Sequence, residues 1–361
     1  MFEDMMGTKA VSERQQFDVN ALAAYLRAHI PNFPDGAMVI EQFNGGQSNP
    51  TFKLCAGGQH YVLRTKPGPA AKLLPSAHAI EREYRVMNAL HQAGFPVARQ
   101  YTLCSDESVI GRAFFVMEFI EGRVLWDQSL PGMTPAERRA IYNELNRVIA
   151  QLHSIDYDAI GLADYGKPGN YFKRQIERWT RQYQASSTEP IEAMDQLIAW
   201  LPLHIPPGDA GMKDTTIVHG DFRLDNMIFH PTEPRILAVL DWELSTLGHP
   251  LADFSYHCMS WHIAPGLFRG IAGLDLEALG IPSQAQYIAA YCARTGATIR
   301  PEDFNFYLAY NLFRLAAILQ GIAKRVEAGT ASSAQAVSSA AGAPVLAKMA
   351  WDFALKAQAR A

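Results

Sequence analysis

The chain has 361 residues, 48% of them hydrophobic and 19% charged, with a formal net charge of −4. Such a length and composition exclude a disordered or fibrous chain and leave room for two folded lobes. The small charge and the lack of a Lys/Arg run argue against a nucleic-acid partner, and no uninterrupted apolar stretch is long enough to span a bilayer.

Residues 19 to 30 read as a short amphipathic helix with Leu22, Tyr25 and Leu26 on one side. After Pro34 the pattern turns to strands: MVIEQF, a glycine-containing turn, TFKLCA, a second turn at Gly57-Gly58, then YVLRTK. Short apolar runs separated by turns predict an antiparallel meander. In AHAIEREYRVMNALHQAG, Ile80, Glu83, Met87 and Leu90 recur at helical spacing and Gly94 closes the helix. Pro-containing strand segments and the apolar AFFVMEFI lead to Glu121-Gly122.

From Thr134 the reading is mainly helical. TPAE predicts a capping box, with Pro135 at the first helical position and Glu137 reaching back to Thr134. Ile141, Leu145, Val148, Ile149 and Leu152 form a buried stripe, and a second helix carries Phe172, Ile176, Trp179 and Tyr183. Helices rich in Tyr, Phe and Leu follow Pro250, and GTASSAQAVSSAAGAP reads as a loose connection before a last helix near Val345 to Gln358. The composition shift divides the chain into a strand-rich lobe with its leading helix, 19–120, and a helical lobe, 121–358. Cys55, Cys104, Cys258 and Cys292 lack CxxC clustering and read as free thiols of a reducing compartment. With no signal-like N-terminal stretch, the expectation is a cytoplasmic enzyme.

Three clusters carry chemistry. The first is VHGDFRLDNMIF, where His219, Asp221 and Asn226 interrupt a strand pair, joined by Asp241 at the end of ILAVLDWE. A hairpin between these segments brings Asn226 and Asp241 towards one another. The amide oxygen of the one and the carboxylate of the other are hard ligands suited to Mg²⁺. Asp221 is then placed to orient a hydroxyl and take its proton as it attacks phosphorus. His219 reads as a hydrogen-bond partner of the loop backbone, and Asp225 as a solvated loop residue.

The second cluster is the turn Gly45-Gly46-Gln47-Ser48-Asn49, whose backbone N–H groups suit phosphate oxygens. It lacks the spacing of a P-loop or a dinucleotide site. A third pairs Arg64, on a strand, with Glu83, on the apolar face of the next helix. A buried carboxylate needs a partner, and a guanidinium supplies one while also facing phosphate.

Together these stretches resemble the aminoglycoside phosphotransferase family, whose fold is α+β and protein-kinase-like. That resemblance implies a bilobal molecule with an N-terminal antiparallel-sheet lobe and a larger helical C-terminal lobe. HGDFRLDN followed by ILAVLDWE is similar to the family's catalytic-loop and metal-strand pattern. By the resemblance Asp221 is the catalytic base, and Asn226 and Asp241 hold Mg²⁺. The loop of Gly45, Gly46, Gln47, Ser48 and Asn49 covers the nucleotide phosphates, and Arg64, where such kinases carry lysine, pairs with Glu83. FVMEFIEG resembles the hinge, with Met117 at its entrance and Glu118, Phe119 and Ile120 facing adenine through the backbone. GHPLAD implies that Asp253 steadies the catalytic loop. The cofactors implied are ATP, with GTP as the alternative, and Mg²⁺.

The implied partner is a small molecule bearing a hydroxyl. Aminoglycosides are polycations, yet the chain beyond Leu251 is poor in acids and rich in aromatics: Tyr256, Trp261, Phe268, Tyr287, Tyr291, Phe304, Phe306, Tyr307, Tyr310 and Phe313. NYFKRQIERW, GLDLEALGIPSQAQYIAAYCARTG and NLFRLAAILQG resemble the kinase-like branch fused to acyl-CoA dehydrogenases, which implies a hydroxyacyl-CoA-like acceptor. The alternatives are an aminoglycoside or choline-type kinase, a non-catalytic nucleotide-binding regulator and, with least support, a metal-dependent hydrolase. Nothing in the sequence fixes the oligomeric state.

Overall fold

Short runs that alternate polar and apolar residues build a six-stranded sheet from the first third of the chain. The computed structural model describes residues 7–44, 49–67, 79–209, 214–327 and 341–358. Its strands are β1 (Thr8–Lys9), β2 (Met38–Phe43), β3 (Thr51–Ala56), β4 (Gln59–Thr65), β5 (Gln100–Cys104) and β6 (Phe114–Glu118). They are ordered β1-β2-β3-β4-β6-β5, every neighbouring pair antiparallel. The expected meander is β2-β3-β4. Helix α1 (Val19–His29) lays Leu22 and Leu26 against Phe52, Leu54, Leu63 and Phe114, and α2 (Ile80–Gln92) falls between β4 and β5 in sequence.

This sheet belongs to the first of two compact units, comprising Met1–Trp126, Asp158–Tyr165 and Asp225–Leu244. A division at residue 121 therefore describes local composition but not the unit, which takes back two later segments. Hydrogen bonds remote in sequence hold them. Arg123 and Phe229 exchange both backbone bonds at 2.9 Å, Val239 N–H donates to Pro96 O at 2.8 Å, and Arg82 donates to Tyr165 O at 2.7 Å. Gly122 is required at that first junction, since a Cβ there would lie 2.3 Å from Phe229 O. The recovered hairpin is β8 and β9 (Met227–Phe229 and Ile236–Val239).

The second unit, Asp127–Tyr157, Gly166–Leu224 and Ser245–Ala361, is helical. It holds α3 (Pro135–His153), α4 (Tyr171–Ser186), α5 (Glu192–Trp200), α6 (Pro250–Cys258), α7 (Leu276–Leu279), α8 (Gln284–Thr295), α9 (Pro301–Glu327) and α10 (Ala343–Gln358). Two short strands, β7 (Thr216–Val218) and β10 (Thr246–Gly248), pair antiparallel. The capping box of α3 is formed: Glu137 N–H donates to Thr134 Oγ1 at 3.3 Å and Thr134 N–H to Glu137 Oε2 at 2.7 Å.

Helix α9 is long and apolar enough to cross a membrane by length and composition, but 83% of its most apolar stretch is buried inside this unit, as in a core helix. Of the ten aromatics singled out beyond Leu251, all but Phe268 are buried. The chain is the α+β, protein-kinase-like arrangement expected, with a sheet-bearing N-terminal unit and a larger helical one. All four cysteines are free.

Candidate active site

In the sheet-bearing unit, cross-strand pairing of Thr51 with Arg64 and the helical phase of α2 bring the predicted ion pair together. Arg64 Nε lies 2.7 Å from Glu83 Oε2, and both side chains are almost fully buried. The guanidinium also reaches Asp241 Oδ1 at 3.1 Å, Thr51 Oγ1 at 3.4 Å and Glu243 Oε2 at 3.9 Å. Burial, reinforced by Asp241, pushes the Glu83 carboxyl above its ordinary range, although Arg64 and Asn49 pull it down. Burial works against the Arg64 charge too, but three carboxylates outweigh it and hold the guanidinium protonated.

Asn49 is fully buried, and its Nδ2 donates to Glu83 Oε1 at 2.7 Å, so its side chain braces the ion pair, a role beyond the one expected of its backbone N–H. Gly45, Gly46, Gln47 and Ser48 lie outside the described residues. At the predicted hinge, Met117 is buried at the end of β6, and Glu118 N–H is already donated to Arg99 O at 2.9 Å. The Glu118 N–H is therefore already satisfied within the sheet-bearing unit.

The β8–β9 hairpin aligns the two metal-ligand candidates. Leu240 N–H donates to Asn226 O at 2.8 Å, placing Asn226 across from the residue before Asp241. Asp241 takes a left-handed φ of 64°, a strained conformation for a residue with a Cβ, and Trp242 anchors the turn through Nε1 to Val239 O at 2.9 Å. Among the described residues no cluster of three or more His, Cys, Asp or Glu suits a metal. One amide oxygen and one carboxylate nevertheless fit Mg²⁺, which keeps water and phosphate oxygens in its remaining positions. Asp225, expected in solvent, is buried in the 3-10 turn that precedes β8.

In the helical unit, Asp221 follows β7 on a loop whose backbone is tied at every step. Gly220 has φ 82°, which a Cβ would strain. The N–H groups of His219 and Gly220 donate to the two oxygens of Asp253 at 2.7 and 2.9 Å. Asp221 N–H donates to His219 Nδ1 at 3.1 Å, so the histidine supports the loop backbone. Burial alone would raise the Asp253 carboxyl, but His153, His219 and these donors hold it below the usual carboxylate range.

The Asp221 carboxylate has a partner on each oxygen: Tyr256 O–H donates to Oδ1 at 2.7 Å, and Arg223 Nη2 lies 3.2 Å from Oδ2. Burial drives the Tyr256 phenol far above its ordinary range, so it remains a donor. Sequence reasoning did not assign Arg223, Tyr256 or Arg314. Their signals were present: an arginine two residues after the base, a tyrosine three after Asp253, and a lone arginine in the apolar run NLFRLAAILQG.

The phosphotransferase enzyme family matches residues 39–302. A crystal structure from Ralstonia eutropha, provisionally named an aminoglycoside phosphotransferase, is 64% identical, with a TM-score of 0.86 over 94% of this chain and 99% of that one. Acyl-CoA dehydrogenase family member 10 of Mus musculus is 47% identical over 97% of this chain and 32% of its own length, so the chain spans about a third of that relative. Choline kinase from Cryptosporidium parvum, 13% identical, shares the fold at a TM-score of 0.61 over 95% of this chain and 96% of that one. The chain thus belongs to the phosphotransferase enzyme family and is an ATP-dependent phosphotransferase acting on a small hydroxyl-bearing substrate.

Proposed function

We propose that the acceptor is an anionic acyl compound of the hydroxyacyl-CoA type, phosphorylated on its hydroxyl by Mg²⁺-ATP in the cytoplasm. The observation that carries this reading is the positive charge beside Asp221, where Arg223 Nη2 lies 3.2 Å from Oδ2. Arg223, Arg269, Tyr256 and Phe268 line a small recess there, with no Asp or Glu among the described residues that line it. Guanidinium groups repel the ammonium groups of an aminoglycoside or choline-type acceptor and attract phosphate or carboxylate. The similarity to acyl-CoA dehydrogenase family members supports the same class.

In this reading Asp221 takes the proton of the acceptor hydroxyl, and Asn226 and Asp241 hold the metal. Arg64 meets the nucleotide phosphates, with Glu83 and Asn49 fixing its direction. Bound there, Mg²⁺ would neutralise charge on the phosphate oxygens. Presence of the base together with both ligands disfavours a purely regulatory nucleotide-binding role.

Two measurements test the proposal. Titration with ATP and with GTP, each with and without Mg²⁺, should give metal-dependent binding. A transfer screen should then rank hydroxyacyl thioesters above sugars, amino alcohols and aminoglycosides. Metal-independent binding, or preference for a cationic acceptor, would sink it.

A further inference from the structure

Arg314 is a buried cation that the proposed chemistry leaves without a task. It sits in the middle of α9, almost fully buried, and forms no ion pair among the described residues. Its Nη2 donates to Gly220 O at 2.6 Å, its Nε has no hydrogen-bond partner among the described residues, and its guanidinium packs over the rings of Tyr256 at 5.1 Å and Trp179 at 5.5 Å. Ring faces and one carbonyl compensate only part of the cost of removing a guanidinium from water. A methionine would fill the same space without that cost. Two of the groups Arg314 holds are the carbonyl immediately before Asp221 and the ring whose hydroxyl bonds Asp221 Oδ1.

The consequence is an asymmetry in the carboxylate. Oδ1 is tied through a buried phenol to a buried guanidinium, whereas Oδ2 faces Arg223, whose side chain is 20% exposed. A carboxylate acts as a base only through an oxygen whose lone pair the substrate proton can reach.

We propose that Tyr256, braced by Arg314, is a positioning residue that fixes Asp221 so that Oδ2 alone receives the acceptor's proton. The inference rests on Asp221 being the base. In the step, the acceptor O–H bond breaks and its proton moves to Oδ2. The hydroxyl oxygen bonds to the γ-phosphorus of ATP, and the bond from that phosphorus to the β–γ bridging oxygen breaks, ADP keeping the electron pair. Arg223 is displaced from Oδ2 as the hydroxyl arrives, which leaves its charge beside the transferring group.

The test compares Tyr256→Phe, Arg314→Met and Asp221→Asn with wild type, using the best acceptor of the transfer screen. Tyr256→Phe keeps the ring that Arg314 packs on and removes only the hydroxyl. It should lower kcat about 10- to 100-fold, the size of effect expected from a misplaced reacting group, with KM for ATP changed less than twofold and the melting temperature retained. Arg314→Met should reproduce the kcat loss in part; should it fail to fold, Tyr256→Phe alone decides. Wild-type kcat in Tyr256→Phe, beside an inactive Asp221→Asn, would overturn this proposal and leave the base assignment standing. Near-normal turnover by Asp221→Asn would overturn the base assignment and the proposal with it, as would transfer to no acceptor at all.

Discussion

Each unit buries one arginine beside a residue of the candidate chemistry, and the two are solvated in opposite ways. Arg64 lies within 3.9 Å of three carboxylates, those of Glu83, Asp241 and Glu243. Arg314 has aromatic faces and a single carbonyl. A guanidinium surrounded by carboxylates is neutralised in place, and arriving phosphates or a metal ion can redistribute those partners. A guanidinium among rings has no directly paired carboxylate to exchange, although the Asp221 carboxylate still acts on it at longer range. The first suits a site that binds and releases charged ligands, the second a brace that keeps one geometry.

The largest expected effect is on the group that the helical unit braces. Asp221→Asn keeps size and one accepting oxygen but cannot take a proton. Turnover should fall at least about 1000-fold, within the range for a lost general base, while the melting temperature and Mg²⁺-ATP affinity stay near wild type. Asp241→Ala acts on the exchanging site and should behave differently. Mg²⁺-dependent ATP affinity should fall roughly 10- to 100-fold, as for a damaged metal site, and calorimetry with and without Mg²⁺ checks it. If both variants lose only turnover, the contrast between a binding cluster and a bracing cluster is wrong.

The arginines themselves sharpen the comparison. Arg64→Met leaves Glu83 buried without its counter-ion and should cost about 3 kcal/mol in urea denaturation, as for a broken buried pair. Arg314→Met removes a cation that forms no ion pair among the described residues, so stability should stay within about 1 kcal/mol of wild type or rise. Equal destabilisation by the two substitutions would remove the distinction between them.

Local pattern carried the sheet, the meander, the α3 capping box and the Arg64–Glu83 pair into the sequence reading. Strand alternation, helical spacing and cap chemistry are short-range, and a glutamate in phase with Ile80 and Met87 must find a cation. The β8–β9 hairpin was legible for the same reason, but its return to the sheet-bearing unit was not. That depends on Arg123 meeting Phe229 and Pro96 meeting Val239, and no periodicity reports such contacts. The side-chain role of Asn49 was not legible, because a residue next to a glycine turn reads as loop, whereas its amide is drawn inward by Glu83. Tyr256 and Arg314 were visible only as one aromatic among many and one charge in an apolar helix. Their meaning comes from α6 and α9 converging on the loop that carries Asp221.

The smallest expected effect concerns another buried base-type group in the helical unit, His257. It packs among the rings of Phe222, Trp261 and Tyr287 and is 2% exposed. Burial lowers it from its ordinary 6.5 to about 4, although the nearby Asp253 carboxylate acts in the opposite direction. Between these values the unfolded chain binds a proton that the folded chain refuses, so stability must fall as pH drops through this window. The loss should be about 1 kcal/mol from pH 6 to pH 5, since one proton per pH unit is worth about 1.4 kcal/mol. Asp253 lies outside this window, because its depressed carboxyl contributes stability that is lost only as pH falls below its ordinary 3.8. Urea denaturation of wild type and His257→Leu at closely spaced pH values isolates the difference. The variant should lose about 1 kcal/mol of the fall between pH 6 and pH 5, keeping the share carried by His249 and His262, which burial also lowers, and the failure at lower pH. An unchanged slope in His257→Leu would mean that the acid sensitivity belongs to other groups, such as the buried His249 and His262, and that the helical unit carries no proton-linked cost at His257.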